Sequence, residues 1–117
     1  MLLDIKPATL THDGVEYTAE LGTIKHTMLG KEDHGIFTFL LELDFGGHVQ
    51  GAGTHGLNDP TNFGNFIQGI LNFFGGNWED LKGRRVFALR EGGMHGLIRG
   101  LMDAEQTKVL IFSELAK

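Results

Sequence analysis

Cysteine is absent from the 117 residues, and serine occurs once, at Ser113. The absence of cysteine excludes disulfides, thiolate catalysis and zinc sites built on thiolates, and it is typical of a reducing compartment. Ser113 lies outside any Gly-x-Ser-x-Gly sequence, which argues against a serine nucleophile. No run of eighteen apolar residues occurs, and Lys6-Pro7 interrupts the start too early for a signal peptide. We therefore expect a soluble, cytoplasmic protein that forms a single domain over residues 1–117.

Positive charge is scarce in the first half of the chain. Residues 1–59 carry three basic and nine acidic residues, residues 60–117 carry seven and six, and the net charge is −5. An acidic chain argues against binding to extended nucleic acid, which requires a broad basic surface. The second half is still compatible with a small basic patch, formed by Lys82, Arg84, Arg85, Arg90 and Arg99. The alternative is that these charges only solvate the exposed face of a strand.

Alternating apolar and polar residues predict an antiparallel sheet. A turn at residues 12–14 precedes an alternating run over residues 15–21, and a second such run spans residues 36–45. Gly22 predicts a bulge between the first run and its continuation. Further strands are predicted over residues 84–90, 94–101 and 108–115. Because no regular helices separate these strands, a parallel βαβ arrangement is disfavoured.

One amphipathic helix interrupts the strands. Asp59-Pro60 is a helix-start signal, because aspartate caps the first turn and proline fits the first helical position. Apolar residues then recur at helical spacing as far as Gly75-Gly76, namely Phe63, Phe66, Ile67, Ile70, Leu71, Phe73 and Phe74. The pattern predicts a helix over about residues 60–75 and a short helical turn over about residues 78–82. The expected fold class is α+β, with an antiparallel sheet that carries one main helix.

Glycine is concentrated between Gly46 and Gly56, where it fills five of eleven positions just before the predicted helix. Backbone amides without side chains at a strand-to-helix junction suit an anion or a nucleotide. The alternative is a bulged edge strand followed by a loop, which is the commoner use of glycine. Residues 51–56 match Gly-x-Gly-x-x-Gly, but the helix begins too late for a dinucleotide-binding βαβ unit.

Six histidines are present, and none lies in a His-Glu-x-x-His sequence or at an i, i+4 spacing. His48, His55 and His95 could converge on a metal together with Asp33 or Asp59. Because the spacing does not support such a site, we expect neither a metal nor a cofactor. No set of residues forms a recognisable active site, so we expect a binding protein rather than an enzyme.

Three segments resemble a pattern found in a family of small tailed-bacteriophage proteins. They are Leu29–Phe39, with its Glu-Asp-His-Gly turn, Leu43–Gly53, with Gly-Gly-x-x-Gln-Gly-x-Gly, and Trp78–Gly83, with Trp-Glu-Asp-Leu-Lys-Gly. The resemblance covers about residues 20–100 and implies a role in the cytosol of an infected host. A weaker analogy links the chain to phage proteins that sequester the nucleotide second messengers of bacterial immunity. Those proteins are small oligomers that bind their ligand between subunits.

The leading hypothesis is a non-enzymatic, anti-defence binding protein that sequesters a small anionic ligand, above all a cyclic or modified nucleotide. The ligand-binding residues would be the backbone amides of Gly51 and Gly53, the polar groups of Gln50, Thr54 and Asn58, the cations Arg84, Arg90 and Arg99, and a stacking ring from Phe45 or Phe87. A homo-oligomer is expected, because one short sheet and one helix leave strand edges and apolar surface uncovered.

Two other hypotheses belong to different classes. The acidic first half could block a basic groove of a host defence protein, as anti-restriction and anti-CRISPR proteins do. The chain could also be a metal-dependent hydrolase built on His48, His55, His95 and Asp33. Steep salt dependence of binding to a basic host protein would favour the first, and stoichiometric metal in the purified protein would favour the second.

Overall fold

The computed structural model describes residues 8–31, 37–55, 60–93 and 95–115. This part of the chain forms one antiparallel sheet, one long helix and two short helical segments. The strands are β1 (Ala8–His12), β2 (Val15–Lys31), β3 (Phe37–Asp44), β4 (Val49–His55), β5 (Arg85–Glu91), β6 (Leu97–Asp103) and β7 (Val109–Ile111). The helices are α1 (Pro60–Phe74), a 3₁₀ turn (Trp78–Asp80) and α2 (Phe112–Leu115). The predicted α+β class, with a strand-rich antiparallel sheet, is confirmed.

The sheet is organised around the long strand β2, in the order β4-β3-β2-β5-β6-β7, with β1 also paired to β2. The first half of β2 pairs with β1 and β5, and its second half pairs with β3. A bulge separates the halves at Lys25, the residue between Ile24 and His26 that has no partner on β3. The sequence predicted this bulge at Gly22, which instead pairs regularly with Val86.

The main helix follows the sequence prediction closely, since α1 spans Pro60–Phe74. It ends at Gly75, whose φ of +70° suits glycine and whose amide donates to the Leu71 carbonyl at 2.8 Å. The apolar stripe packs on one face of the sheet, which we call the concave face because the sheet curls until β4 contacts β6. There the buried ring of Phe66 meets the buried ring of Phe39 edge to face, with 5.1 Å between centroids. Burial of this stripe fixes the helix on the sheet.

The predicted helical turn after α1 is a 3₁₀ turn over Trp78–Asp80. The ring of Trp78 packs against Phe39, with centroids 5.8 Å apart. Asp59, the predicted cap of α1, lies outside the described residues. Among the residues that the structure does describe, no helix is both long enough and apolar enough to cross a membrane.

The last predicted strand, over residues 108–115, is only partly a strand. β7 ends at Ile111, and the chain then turns into α2. The ring of Phe112 is buried 6.0 Å from the ring of Phe39. Leu115 packs over Gly69 of α1, where an added Cβ would lie 2.6 Å from a Leu115 methyl. The chain leaves the sheet because α1 offers these side chains an apolar surface, which alternation in the sequence cannot reveal.

The two faces of the sheet carry separate apolar clusters. The main core on the concave face joins α1 to the sheet and includes Ile24, Leu41, Leu43, Ala52, Val86, Ala88 and Leu101. A smaller cluster on the opposite face consists of Tyr17, Ala19, Leu89, Met102 and Ile111. Burial, followed by the nearby carboxylates of Glu91, Glu114 and Asp13, raises the pKa of the Tyr17 phenol above its ordinary value. The phenol therefore stays uncharged in this second cluster.

Most of the glycine-rich segment is a strand, not a loop. Within β4, Gly51 pairs with Glu42 and Gly53 pairs with Leu40 on β3. A Cβ at Gly53 would collide with the carbonyl oxygen of Phe39, so the close approach of the two strands requires glycine there. The interpretation of this segment as a loop is therefore wrong for residues 49–55, which form the edge strand of the alternative without the bulge that it included.

Candidate ligand-binding site

A buried arginine marks one end of the concave face. Arg90 on β5 is 2% exposed, and it is the one charged side chain that is buried among those the structure describes. It shares a strand face with Val86 and Ala88 of the main core, because alternate residues of a strand point the same way. Burying an ion costs on the order of several kcal/mol, unless hydrogen bonds and an opposite charge compensate for the lost hydration. The partners of Arg90 therefore define the site.

Three separate elements contact the guanidinium of Arg90. Its Nη2 donates to Oε1 of Glu20 on β2 at 2.9 Å, which forms an ion pair. Its Nη1 donates to Oε1 of Gln50 on β4 at 2.5 Å and to the carbonyl of Gly96 at 3.3 Å. The Nε of Arg90 is buried and has no hydrogen-bond partner within the described part of the chain. An unpaired buried donor costs free energy, and such groups are rare in native proteins.

The strand register explains how these groups meet. Thr18 lies directly opposite Arg90, so Glu20, two residues further along β2, is its diagonal neighbour on the same face. Gln50 pairs with Leu43 of β3 and faces the same concave side. β4 and β5 are not neighbours in the sheet, but the sheet curls until β4 contacts β6. This curl brings Gln50 to Arg90.

Phe45 forms an aromatic base beneath the site. The Arg90 guanidinium carbon lies 5.1 Å from the centroid of the Phe45 ring, and the His48 ring stacks on Phe45 at 5.0 Å with an interplanar angle of 28°. The ring occupies space left open by Gly22, where an added Cβ would lie 2.8 Å from it. The glycine that predicted a bulge thus serves to admit an aromatic ring.

The turn between β3 and β4 fixes the position of His48. The carboxylate of Asp44 accepts a hydrogen bond from the Gly46 amide at 2.8 Å, and Gly46 has a φ of +97°. The amide of Phe45 donates to the His48 carbonyl at 2.9 Å and closes the turn. The rings of Phe45 and His48 therefore both project from one tight turn, whose shape depends on glycine.

The turn between β5 and β6 supplies the opposite side of the site. Gly92 and Gly93 adopt φ angles of +93° and +86°, which glycine tolerates without strain. A Cβ at Gly96 would collide with the carbonyl of Glu91, so this close return also needs glycine. The turn presents the Gly96 carbonyl to Arg90 and places His95 at the surface.

A cleft of about 400 Å³ opens above these groups, lined by His48, Gln50, Arg90 and His95. The side chain of His48 is 54% exposed, and its Nε2 lies 4.0 Å from Oε1 of Glu20. Gln50 uses its oxygen on Arg90, which leaves its amide nitrogen as a donor. The cleft thus combines two imidazoles and a carboxamide over a buried ion pair, a set suited to binding the acceptor groups of a small polar ligand.

Three of the residues predicted from the sequence meet at this site, namely Phe45, Gln50 and Arg90. Phe45 supports the cleft from below and is not among its lining residues. Thr54 belongs to β4 opposite Phe39, its side chain is outside the described set, and Asn58 is outside the described residues.

The other predicted residues lie elsewhere. Arg84 donates to the Phe74 carbonyl at 2.6 Å and lines a cleft of about 310 Å³ next to the end of α1. Arg99 and Gly53 line a third cleft of about 390 Å³. The remaining two predicted residues are not in the candidate site either, since Gly51 lies beside the Leu40 side chain and Phe87 packs against the second apolar cluster. The predicted residues that line a cleft are therefore distributed over three clefts.

The leading hypothesis did not include Glu20, His48 or His95, and the two histidines entered only the hydrolase hypothesis. The i, i+2 spacing of His48 and Gln50 was a usable signal, because alternate residues of an extended chain point the same way. Glu20 and His95 gave no comparable signal, since their position depends on the curl of the sheet and on the turn at Gly96.

Among the described residues, one group of three could hold a metal ion, formed by His12, Asp13 and Glu114. Nε2 of His12 lies 3.3 Å from Glu114 and 3.5 Å from Asp13, so the group already forms ion pairs whenever the imidazole is charged. Of the histidines in the hydrolase hypothesis, His48 and His95 share the cleft. Asp33 and the side chain of His55 lie outside the described part.

Comparison with known proteins gives no match. No protein-family model fits the chain, no curated protein aligns with it significantly, and no solved structure is significantly similar to it.

Proposed function

We propose that this protein binds a small anionic ligand of the nucleotide class in the cleft formed by His48, Gln50, Arg90 and His95. The observation that carries the proposal is a solvent-accessible cleft whose polar lining residues His48, Gln50 and His95 lie around the buried Arg90. A buried charge with an unpaired donor weakens a fold, and such arrangements concentrate at functional sites. Here Arg90 holds Gln50 in the lining by a hydrogen bond, and ligand binding is the simplest function for the cleft.

The dimensions of the cleft restrict the ligand. Small-molecule sites typically enclose about 300–1,000 Å³, so this cleft, at about 400 Å³, falls at the lower end. It has room for one mononucleotide or for one half of a larger cyclic dinucleotide. A larger ligand would have to be shared with a second copy of the chain.

The chemistry of the lining supports a nucleotide over an apolar metabolite. Gln50 offers a carboxamide donor, and the two imidazoles can donate to phosphate or base acceptors. The exposed ring of His48, already stacked on Phe45, offers a flat surface to a base. We propose capture of the ligand without turnover, in the anti-defence setting implied by the phage resemblance.

We further propose that the chain is a homo-oligomer. Several large apolar side chains are exposed, among them Val49 at 45% and Leu97 at 64%. Val49 begins β4, an edge strand of the sheet, and unpaired edges favour association. The oligomeric state bears directly on whether a dinucleotide can be enclosed.

Native mass spectrometry of the purified chain, mixed with a panel of cyclic and ADP-ribose-type nucleotides, tests the proposal. We expect a discrete mass shift with the nucleotide recovered intact. Gln50→Ala should weaken the complex about tenfold, the factor for one lost hydrogen bond to a charged group. Arg99→Ala, in another cleft, should leave it unchanged.

The absence of any shift across the panel would contradict the proposal. Binding that is unaffected by Gln50→Ala but lost in Arg99→Ala would show that the ligand occupies the cleft lined by Arg99, which would contradict the assigned site. In either case, capture of a basic host protein with steep salt dependence would favour the protein-inhibitor hypothesis instead.

A further inference from the structure

We infer that the anionic group of the ligand is held by the imidazolium forms of His48 and His95, and that Arg90 is a positioning residue that does not contact it. The inference rests on the proposed function, because it concerns the same cleft. It also differs from the leading sequence-based hypothesis, which assigned phosphate binding to arginines and included no histidine in the ligand-binding site.

Arg90 is shielded from a ligand by its burial and its partners. Only 2% of this residue is exposed, and its Nε has no solvent-accessible surface of note. Both terminal nitrogens already donate, to Glu20 on one side and to Gln50 and Gly96 on the other. A ligand could reach these donors only by displacing the partners that hold the strands together. Arg90 therefore acts through the residues that it orients.

The charge of the cleft depends on its two histidines. Among the described residues, the charged and titratable groups at the cleft are Glu20 from β2, Arg90 from β5, His48 just before β4 and His95 from the turn before β6. The charges of Arg90 and Glu20 cancel, since their atoms are 2.9 Å apart. These four groups together carry a net positive charge only when at least one of the two imidazoles binds a proton.

His48 and His95 are both accessible in the lining of the cleft. His48 is oriented by its stack on Phe45 and stays 54% exposed, so one ring face is accessible to a ligand. Oε1 of Glu20 lies 4.0 Å from Nε2 of His48, which is beyond hydrogen-bond distance. His95 is exposed and lines the same cleft. Two cations in the lining of one cleft suit a phosphate group.

Ligand capture should consequently be linked to protons. Histidine changes charge between about pH 5 and pH 8, so affinity for a phosphate should fall as the pH rises through this range. A site based on arginine would show no such dependence, because the guanidinium remains charged throughout.

The experiment measures calorimetric binding of adenosine 3′,5′-cyclic monophosphate at pH 6.0 and pH 8.0, with adenosine as the uncharged control. The phosphodiester keeps one charge over this range, so any pH dependence comes from the protein. We expect binding of the cyclic nucleotide to be at least tenfold tighter at pH 6.0, and binding of adenosine to change little.

Two variants identify the groups responsible. His48→Gln and His95→Gln should each weaken binding about tenfold at pH 6.0 and reduce the difference between the two pH values. His26→Gln is the matched control, because His26 is an exposed histidine of β2 outside the cleft. Side-chain NMR of the six histidines should show that the resonances of His48 and His95 move on addition of the nucleotide.

The outcomes separate this inference from the proposed function. Tight binding that is equal at both pH values and insensitive to both histidine variants would overturn the inference and leave the proposed function standing. No binding of the cyclic nucleotide at either pH would overturn the inference, together with the proposed function for this nucleotide.

Discussion

Nη1 of Arg90 donates a hydrogen bond to Oε1 of Gln50, although the strands that carry these residues are not neighbours in the sheet. The contact spans forty positions in sequence. It joins the far edge of the curled sheet to its centre, next to the ion pair between Arg90 and Glu20. This contact joins two of the elements that line the candidate cleft.

The ion pair should be strongly coupled to stability. Arg90→Met removes the partner of Glu20, whose side chain is 18% exposed, and should lower the free energy of unfolding by about 3–5 kcal/mol. Glu20→Gln should also be destabilising, because it leaves the buried guanidinium without a counter-charge. The double variant should lose clearly less than the sum of the two singles, measured by urea denaturation. Strictly additive losses would show that the pair is not coupled.

Gly22 should be required for the position of the aromatic base. A Cβ at Gly22 would lie 2.8 Å from the Phe45 ring, so Gly22→Ala should cost about 1–3 kcal/mol and displace that ring. Gly30 on the same strand is the matched control, since a Cβ there meets no atom within 4 Å. Gly30→Ala should be nearly neutral in thermal unfolding. Equal effects of the two substitutions would contradict the packing argument.

Asp103 should contribute stability that disappears in acid. Burial opposes its ionisation, but the Thr107 hydroxyl and the Lys108 and Thr107 amides donate to its carboxylate, and together they lower its pKa below the ordinary value. A pKa lowered in the folded state adds stability above the unfolded-state value of about 3.9. That stability is lost as the pH falls through the folded-state pKa.

Asp103→Asn should therefore cost about 1 kcal/mol at pH 7, and the cost should shrink progressively below about pH 4. Urea denaturation at pH 7 and at pH 3 measures the difference. Glu105→Gln, an exposed change in the same turn, is the control and should be nearly neutral at both pH values. A cost for Asp103→Asn that is independent of pH would exclude ionisation as the source of stability.

Local patterns were sufficient to predict the main helix and most of the strands. The helix over residues 60–75 was predicted because Pro60, Gly75 and the apolar stripe between them are signals within one segment. The antiparallel strands followed from alternation in the same way. Residues 112–115 were wrongly predicted to continue the last strand. They form α2, in which Leu115 packs on α1 at Gly69.

The candidate site could be predicted only in part. Phe45, Gln50 and Arg90 were selected by residue type, which is enough to suggest a role but not a partner. Glu20 lies seventy positions from Arg90, and its contact depends on strand order and on the curl of the sheet. Arg84 and Arg99 are similar in type to Arg90, and only the tertiary structure separates them into other clefts.

Chemical-shift mapping of the ¹⁵N-labelled protein with adenosine 3′,5′-cyclic monophosphate at pH 6.0 tests the central claim most directly. The account predicts that the largest shifts cluster on His48, Gln50, Arg90 and His95, on both sides of one cleft. Shifts centred on Arg84 or on Arg99, or no shifts with the nucleotide in excess, would contradict the assignment of this cleft as the ligand-binding site.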